Sequence, residues 1–247
     1  MSLKNNKQNW EDASQIDPLW AILSDPNKKY LKWDIDEFFA IGENEIKDLM
    51  VFCEKLGYPK KRKNVLDFGC GIGRLTRPLS NYFQKCYGLD ISENMIKLAK
   101  KHNKHCNKCE FILNNEDNLQ LFPDDYFDMI YSDIVLQHID DKKLIKAYIS
   151  EFIRILKYRG LLVFQLPSYI PIKHRFQIRR RTYSYLRFLG ISKDILYFKL
   201  GLHPILMNFI PTKEVISFIK KNNAKILKID TFEHTSYINN IYFITKL

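Results

Sequence analysis

The chain of 247 residues is long enough to bury a sizeable core, as one domain or one with additions, and 46% hydrophobic content marks it as globular. No signal peptide and no apolar run of bilayer length is read in it, which predicts a cytoplasmic protein without a transmembrane span. Five cysteines, an odd number without the look of a disulfide scaffold, fit a reducing compartment, and the net charge of +11 acquires meaning only from its location.

Residues 1–41 carry all three tryptophans, Trp10, Trp20 and Trp33, with two turn or helix-start signals, Asp17-Pro18 and Asp25-Pro26. This segment is read as an N-terminal helical cap over the site, or equally as an arm that covers the sheet or pairs subunits. From Glu43 to Leu56, Ile46, Leu49, Met50, Cys53 and Leu56 recur at helical spacing, and Gly57 ends the pattern. The tract Lys60-Lys61-Arg62-Lys63 reads as a solvated loop before the first strand rather than a nucleic-acid patch.

Val65, Leu66 and Phe68 form a short buried strand that runs into glycines at 69, 71 and 73, then into a helix predicted from Leu75 to Phe83. Glycine permits φ > 0 and lets a ligand lie against the backbone, and a glycine turn between strand and helix suggests a nucleotide-type ligand at the carboxyl edge of a parallel sheet. The dinucleotide pattern G-x-G-x-x-G fails, because Arg74 or Thr76 stands at the third glycine. Asp67 would repel a pyrophosphate and suits a ligand with an ammonium group. Pro78 places the helix start at about Leu75 or later.

A second strand near Lys85–Leu89 ends in Asp90, 21 residues after Gly69, where a carboxylate can accept both ribose hydroxyls. Ser92 caps the next helix, with Met95, Ile96 and Leu98 inward. His102, His105, Cys106 and Cys109 are too closely spaced for a zinc site, so a polar surface loop is expected and no metal. A third strand, Glu110–Leu113, leads to Asn114 and Asn115.

The fourth strand follows Phe127-Asp128 and ends in Ser132-Asp133-Ile134-Val135-Leu136-Gln137-His138. An amphipathic helix spans Asp140–Tyr158, capped by Asp140 or Asp141 and stopped by Gly160, before a fifth strand at Leu161–Leu166. Residues 168–210 look like an insertion: between Lys173 and Lys199 eight Lys or Arg face Asp194 alone, interleaved with Phe176, Tyr183, Tyr185, Phe188, Tyr197 and Phe198. It could be a lid on an anionic substrate, a membrane-surface helix, a nucleic-acid patch, or a solvated helix with a buried aromatic face. Thr212 caps a further helix through Lys221, and strands near Lys225–Phe232 and Ile238–Lys246 form a closing hairpin.

Motif Asp67-x-Gly69-x-Gly71-x-Gly73, Asp90, Phe127-Asp128, Leu136-Gln137-His138 and the paired last strands resemble the class I S-adenosylmethionine-dependent methyltransferases. Asp17-Pro18-Leu19-Trp20, the Trp33–Glu45 stretch and Ser132–Ile139 are similar to a bacterial group with an N-terminal extension. The resemblance covers about residues 43–247 and implies a three-layer α/β sandwich with a seven-stranded, mostly parallel Rossmann-like sheet and one antiparallel strand inserted last. It divides the chain into a cap or arm at 1–41 and a methyltransferase domain at 42–247.

It also implies S-adenosylmethionine as cofactor and S-adenosylhomocysteine as product, held by Asp67, Gly69, Cys70, Gly71, Gly73, Arg74, Asp90, Ile91, Met95, Ser132 and Gln137. Asn114 or Asn115 stands where the family usually has an acidic residue toward the adenine amine; an Asn oxygen can still accept that bond. His138 is the first candidate for a base toward a hydroxyl acceptor, with Asp133 second. The expected function is O-methylation of a small molecule or saccharide. An RNA methyltransferase, suggested by Arg179-Arg180-Arg181, and a non-catalytic cofactor-binding subunit are the alternatives.

Overall fold

The computed structural model describes residues 3–234 and 236–247. Helices α1 (Leu3–Ile16), α2 (Pro18–Ile22) and α3 (Ile35–Leu56) lead into β1 (Asn64–Phe68). Next come α4 (Thr76–Leu79), β2 (Lys85–Asp90), α5 (Glu93–His102), β3 (Cys109–Leu113) and β4 (Phe127–Ser132). After α6 (Lys142–Ile155) and β5 (Leu156–Tyr169) lie α7 (Ile172–Arg175), α8 (Ile178–Phe188), α9 (Thr212–Lys221), β6 (Ala224–His234) and β7 (Tyr237–Lys246).

The strands form one sheet in the order β3-β2-β1-β4-β5-β7-β6. Only β7 runs against its neighbours, pairing antiparallel with both β5 and β6. This is the three-layer α/β sandwich with one antiparallel strand that the sequence implied. The side-chain period of two along each strand serves the two layers. Leu66, Ile130 and Leu162 pack toward α6 and α9, through Phe152 and Ile219. Val65, Met129 and Val163 pack toward α3 and α4, through Ile46, Met50 and Leu79. β1 is buried at all five positions, so its carboxyl end opens into the middle of the molecule.

Several boundaries differ from the sequence reading. The helix expected from Glu43 starts at Ile35, where Asp34 accepts the N–H groups of Asp36 and Glu37. It therefore runs through the division drawn at 41/42. The helix after the glycine turn is one turn long instead of reaching Phe83; Pro78 sits in its first turn and the chain turns back at once toward β2. α6 stops at Ile155, not at Gly160, because Leu156 already pairs with Phe127 of β4. Gly160 lies inside β5, its carbonyl accepting from Thr245 Oγ1. Thr212 is the first residue of α9, not its cap; its hydroxyl accepts from Asn240 instead.

Cys106 and Cys109, read from the sequence as part of a polar surface loop in a chain suited to a reducing compartment, are joined as a disulfide; their Cα atoms lie 5.3 Å apart where the chain enters β3. Cys53, Cys70 and Cys86 are buried free thiols. No cluster of His, Cys, Asp and Glu among the described residues could hold a metal ion. No helix among them is long and apolar enough to cross a membrane.

Candidate active site

A cavity with about 940 Å³ of free space, part of it open to solvent, lies at the carboxyl edge of β1, β2 and β4. Asp67, Gly69, Cys70 and Gly71 form one wall. The backbone is left-handed at Gly69 (φ 77°) and Gly71 (φ 53°). A Cβ at Gly69 would stand 2.3 Å from Val135 Cγ2, and one at Gly71 2.5 Å from Ile22 Cδ1. Only glycine fits this cradle.

Asp90, Ile91 and Met95 line the second side. Asp90 is pinned by two backbone groups, the Gly71 N–H at 2.9 Å on Oδ2 and the Ser92 N–H at 2.9 Å on Oδ1. Each oxygen keeps a further lone pair for a ligand hydroxyl. Burial raises the Asp90 carboxyl above its ordinary range. Asn114 lines the cavity, whereas Asn115 is exposed and accepts from Lys7 Nζ.

The third side is Asp133, Ile134 and Val135 beyond β4. Ile134 holds φ 56°, a strained conformation for a β-branched residue. Its N–H donates to Gln165 Oε1 at 2.9 Å. Gln165 Nε2 in turn donates to Gln137 Oε1 at 3.4 Å, Gln137 Nε2 lies 3.3 Å from His138 Nε2, and His138 Nδ1 meets the Leu206 carbonyl. The carbonyl can only accept, so Nδ1 carries the proton and Nε2 accepts from Gln137; every donor in the relay then has an acceptor.

His138 is thus placed differently from its expectation as a base facing the methyl group. Its two ring nitrogens are turned to Gln137 and Leu206, its ring meets Trp10 edge-on at 5.4 Å, and it does not line the main cavity. Burial pushes the imidazole down to about 4. Gln137 and Ser132 also stand back from the cavity, Ser132 donating to the Phe68 carbonyl at 3.2 Å. Gly73 packs against Asn103 and Phe111, where a Cβ would clash. Asp133, by contrast, lines the cavity directly.

Residues that the sequence reading did not single out complete the site. Glu45 of α3 accepts from Arg74 Nη1 at 2.7 Å and from the Tyr131 hydroxyl at 2.9 Å. Burial, then the Glu45 charge, raises the Asp133 carboxyl well above its ordinary range. Nothing in the periodicity of α3 marks Glu45, since it is one of several acids on that helix. Thr76 Oγ1 donates to Asp67 Oδ2 at 2.6 Å. Asn6 and Trp10 of α1 and Ala21 and Ile22 of α2 roof the cavity.

The donor set fits the cofactor that the sequence implied. Arg74 is buried and lines the cavity, and its Nε has no protein partner, which leaves a donor for a ligand carboxylate. The carboxyls of Asp67 and Asp90 on the other walls suit an ammonium group and ribose hydroxyls, and the glycine cradle admits a bulky ligand against the backbone.

Residues 66–164 match the family model for a methyltransferase domain. A ubiquinone biosynthesis O-methyltransferase of Pelagibacter ubique is 27% identical over 228 residues, 91% of this chain and 87% of that protein. A probable chloroplastic tocopherol O-methyltransferase of Oryza sativa subsp. japonica is 36% identical over 149 residues, covering 56% of this chain and 40% of the relative. Among solved structures, the magnesium protoporphyrin IX methyltransferase of Synechocystis with bound S-adenosylhomocysteine superposes with a TM-score of 0.63 at 18% identity, over 98% of this chain and 100% of the other. A methyltransferase-domain match over residues 66–164, this sheet order and this cavity agree with the resemblance to the class I S-adenosylmethionine-dependent methyltransferases.

Proposed function

We propose that this methyltransferase transfers its methyl group to a hydroxyl of a small-molecule acceptor, with a saccharide hydroxyl as one such class. The observation that carries the reading is Asp133: a half-buried carboxyl opening into the same cavity as the cofactor cradle, its proton affinity raised by desolvation and by Glu45. The names of the O-methyltransferase relatives from Pelagibacter and rice support the same reaction class.

In this proposal Asp67, Gly69, Cys70, Gly71, Asp90, Ile91, Met95 and Asn114 hold S-adenosylmethionine, and the spare Arg74 donor meets its carboxylate. The cofactor, when bound, supplies a methyl group already activated by the sulfonium. The chain's task is then to exclude water and align the hydroxyl, and such positioning accounts for about 7–11 kcal/mol of barrier lowering. Asp133 would take the proton of the acceptor hydroxyl. Glu45 holds Asp133, and Arg74 and Tyr131 hold Glu45. His138, Gln137 and Gln165 act one layer behind by fixing Ile134.

Part of the basic character that suggested RNA is spent within the fold: in the arginine run Arg180 Nη2 lies 3.6 Å from Asp140 Oδ2, and beyond the run Arg187 Nε lies 3.2 Å from Asp12 Oδ2. The test is release of S-adenosylhomocysteine from the purified chain against a panel of phenols, catechols and sugars, with bulk RNA alongside. Turnover with a hydroxyl acceptor that is lost in Asp133→Asn supports the proposal. Turnover confined to amines or to RNA overturns it.

A further inference from the structure

Helix α8 has two unlike faces. One is used inside the molecule. Tyr183 is buried with its hydroxyl on Asp12 Oδ2 at 3.3 Å, beside Arg187, while Arg180 reaches Asp140. The other face carries Ile178, Tyr185 and Phe188, at the i, i+7 and i+10 positions that fall on one side of a helix, and Leu189 follows at the helix end. Their exposures are 72%, 63%, 86% and 57%. Phe176 just before the helix and Ile172 in α7 are also more than half exposed, so the apolar stripe continues past the helix start. Large apolar side chains in contiguous exposed patches mark an interaction surface.

The charge around the stripe selects the occupant. Lys173, Arg179 and Arg181 are exposed beside it, and the whole 173–199 stretch holds a single acid, Asp194. A second copy of this chain would bring two cationic faces together, which repel. A nucleic acid would answer the charge but not the aliphatic Ile178, Leu189 and Ile172, which offer no stacking plane. An anionic lipid surface answers both: aromatic and aliphatic side chains enter the headgroup boundary while Lys and Arg reach lipid phosphates.

We propose that the outward face of α7 and α8 docks on anionic membrane surfaces, with Ile178, Tyr185 and Phe188 as the inserting residues and Lys173, Arg179 and Arg181 as the headgroup contacts. This surface is independent of which acceptor is methylated. It does border the active site, because the inward face of α8 holds Asp12 of α1, whose Asn6 and Trp10 roof the cavity.

The test is co-sedimentation of the full chain with vesicles of phosphatidylcholine alone and of phosphatidylcholine with phosphatidylglycerol. Binding is expected to the mixed vesicles only. It should weaken by at least about tenfold in the triple variant Ile178→Ser, Tyr185→Ser, Phe188→Ser, and also in Lys173→Gln, Arg179→Gln, Arg181→Gln. All six side chains are outward, so circular dichroism and cofactor affinity should be unchanged in both variants. Absence of vesicle binding by the wild-type chain overturns the proposal. So does a wild-type dimer in light scattering that the apolar variant dissolves, or binding to bulk RNA that the apolar variant retains and the vesicles do not match.

Discussion

Gln165 Oε1 accepts the N–H of Ile134 at 2.9 Å and so holds a left-handed isoleucine at the mouth of the reaction cavity. Behind it, Gln137 and His138 carry the relay to the Leu206 carbonyl. His138 should therefore act on stability more than on chemistry. His138→Ala removes a buried ring packed on Trp10 and is expected to cost about 2–4 kcal/mol, read as a fall in Tm. The turnover of the remaining folded protein should fall by no more than about tenfold, a positioning loss well below that of a missing base. A larger fall with an unchanged Tm would restore His138 as the base.

Asp133 carries the opposite expectation. Asp133→Asn should lower kcat by about 10²–10⁴, the usual contribution of a general base, and leave the cofactor Kd within a few-fold. Turnover should rise with pH as Asp133 ionises, since burial and the Glu45 charge hold its proton. Glu45→Gln removes that charge, so the rising limb should move to lower pH. A pH–rate profile unmoved by Glu45→Gln would dissociate the pair from the chemistry.

On the proposed cofactor site, Asp67 should couple cofactor binding to pH. Burial pushes its carboxyl up to about 7, against the opposing pull of the Thr76 hydroxyl and the Arg74 charge. A raised folded-state value means that the ligand-free chain is favoured by Asp67 below its ordinary value of 3.8, and loses that stability as pH rises through about 7. The cofactor's ammonium group prefers the ionised form. Cofactor affinity measured by calorimetry should therefore increase as pH rises through about 7, and Asp67→Asn should flatten the dependence. The buried imidazoles work the other way. His138 and His203 are held down to about 4 by burial, so their contribution is full above 6.5 and is lost as pH falls toward 4.

The glycine cradle gives a test independent of protonation. Gly71→Ala puts a methyl group 2.5 Å from Ile22 Cδ1 at φ 53°. The side-chain end of Ile22 can move, but the left-handed backbone still costs a non-glycine residue about 1–2 kcal/mol. The new methyl also occupies space in the cradle. Cofactor binding should be lost in Gly71→Ala, and the added change Ile22→Ala should recover stability without recovering affinity. Full affinity in the double variant would place the cofactor elsewhere.

Much of this site was legible because local chemistry dictates it. A strand that ends in Gly69, Gly71 and Gly73 can only turn where backbone is bare, and a carboxylate at the end of the next strand can only face that turn. The seven-stranded sheet with its antiparallel last strand was implied by the family resemblance, and the fold has it. What escaped depended on contacts distant in the chain. Glu45 reaches Arg74 and Tyr131 only because α3 lies across β1 and β4. His138 looked like a base because its ordinary titration lies near neutrality, whereas the fold buries it between Trp10 and the Leu206 carbonyl. The α6–β5 junction was misplaced because Gly160 carries a helix-stop signal, while β4 captures Leu156 before the helix reaches it.

The contact between α1 and α8 closes the cavity from above, and its loss should register in binding before it registers in chemistry. Asp12 is buried and accepts from Gln8 Nε2 at 3.0 Å, the Tyr183 hydroxyl at 3.3 Å and Arg187 Nε at 3.2 Å. Asp17 adds a second latch, its Oδ2 accepting the Tyr197 hydroxyl at 2.7 Å and the Leu31 N–H at 2.9 Å. Asp12→Ala strands a buried hydroxyl and should cost about 1–3 kcal/mol. Because Asn6 and Trp10 stand on the same helix as Asp12, loosening it opens the roof, and KM for the cofactor should rise while kcat at saturation holds. Tyr183→Phe, which leaves the arginine contact in place, should give a smaller rise in KM. Equal KM values across wild type and both variants would mean that the roof plays no part in holding the cofactor.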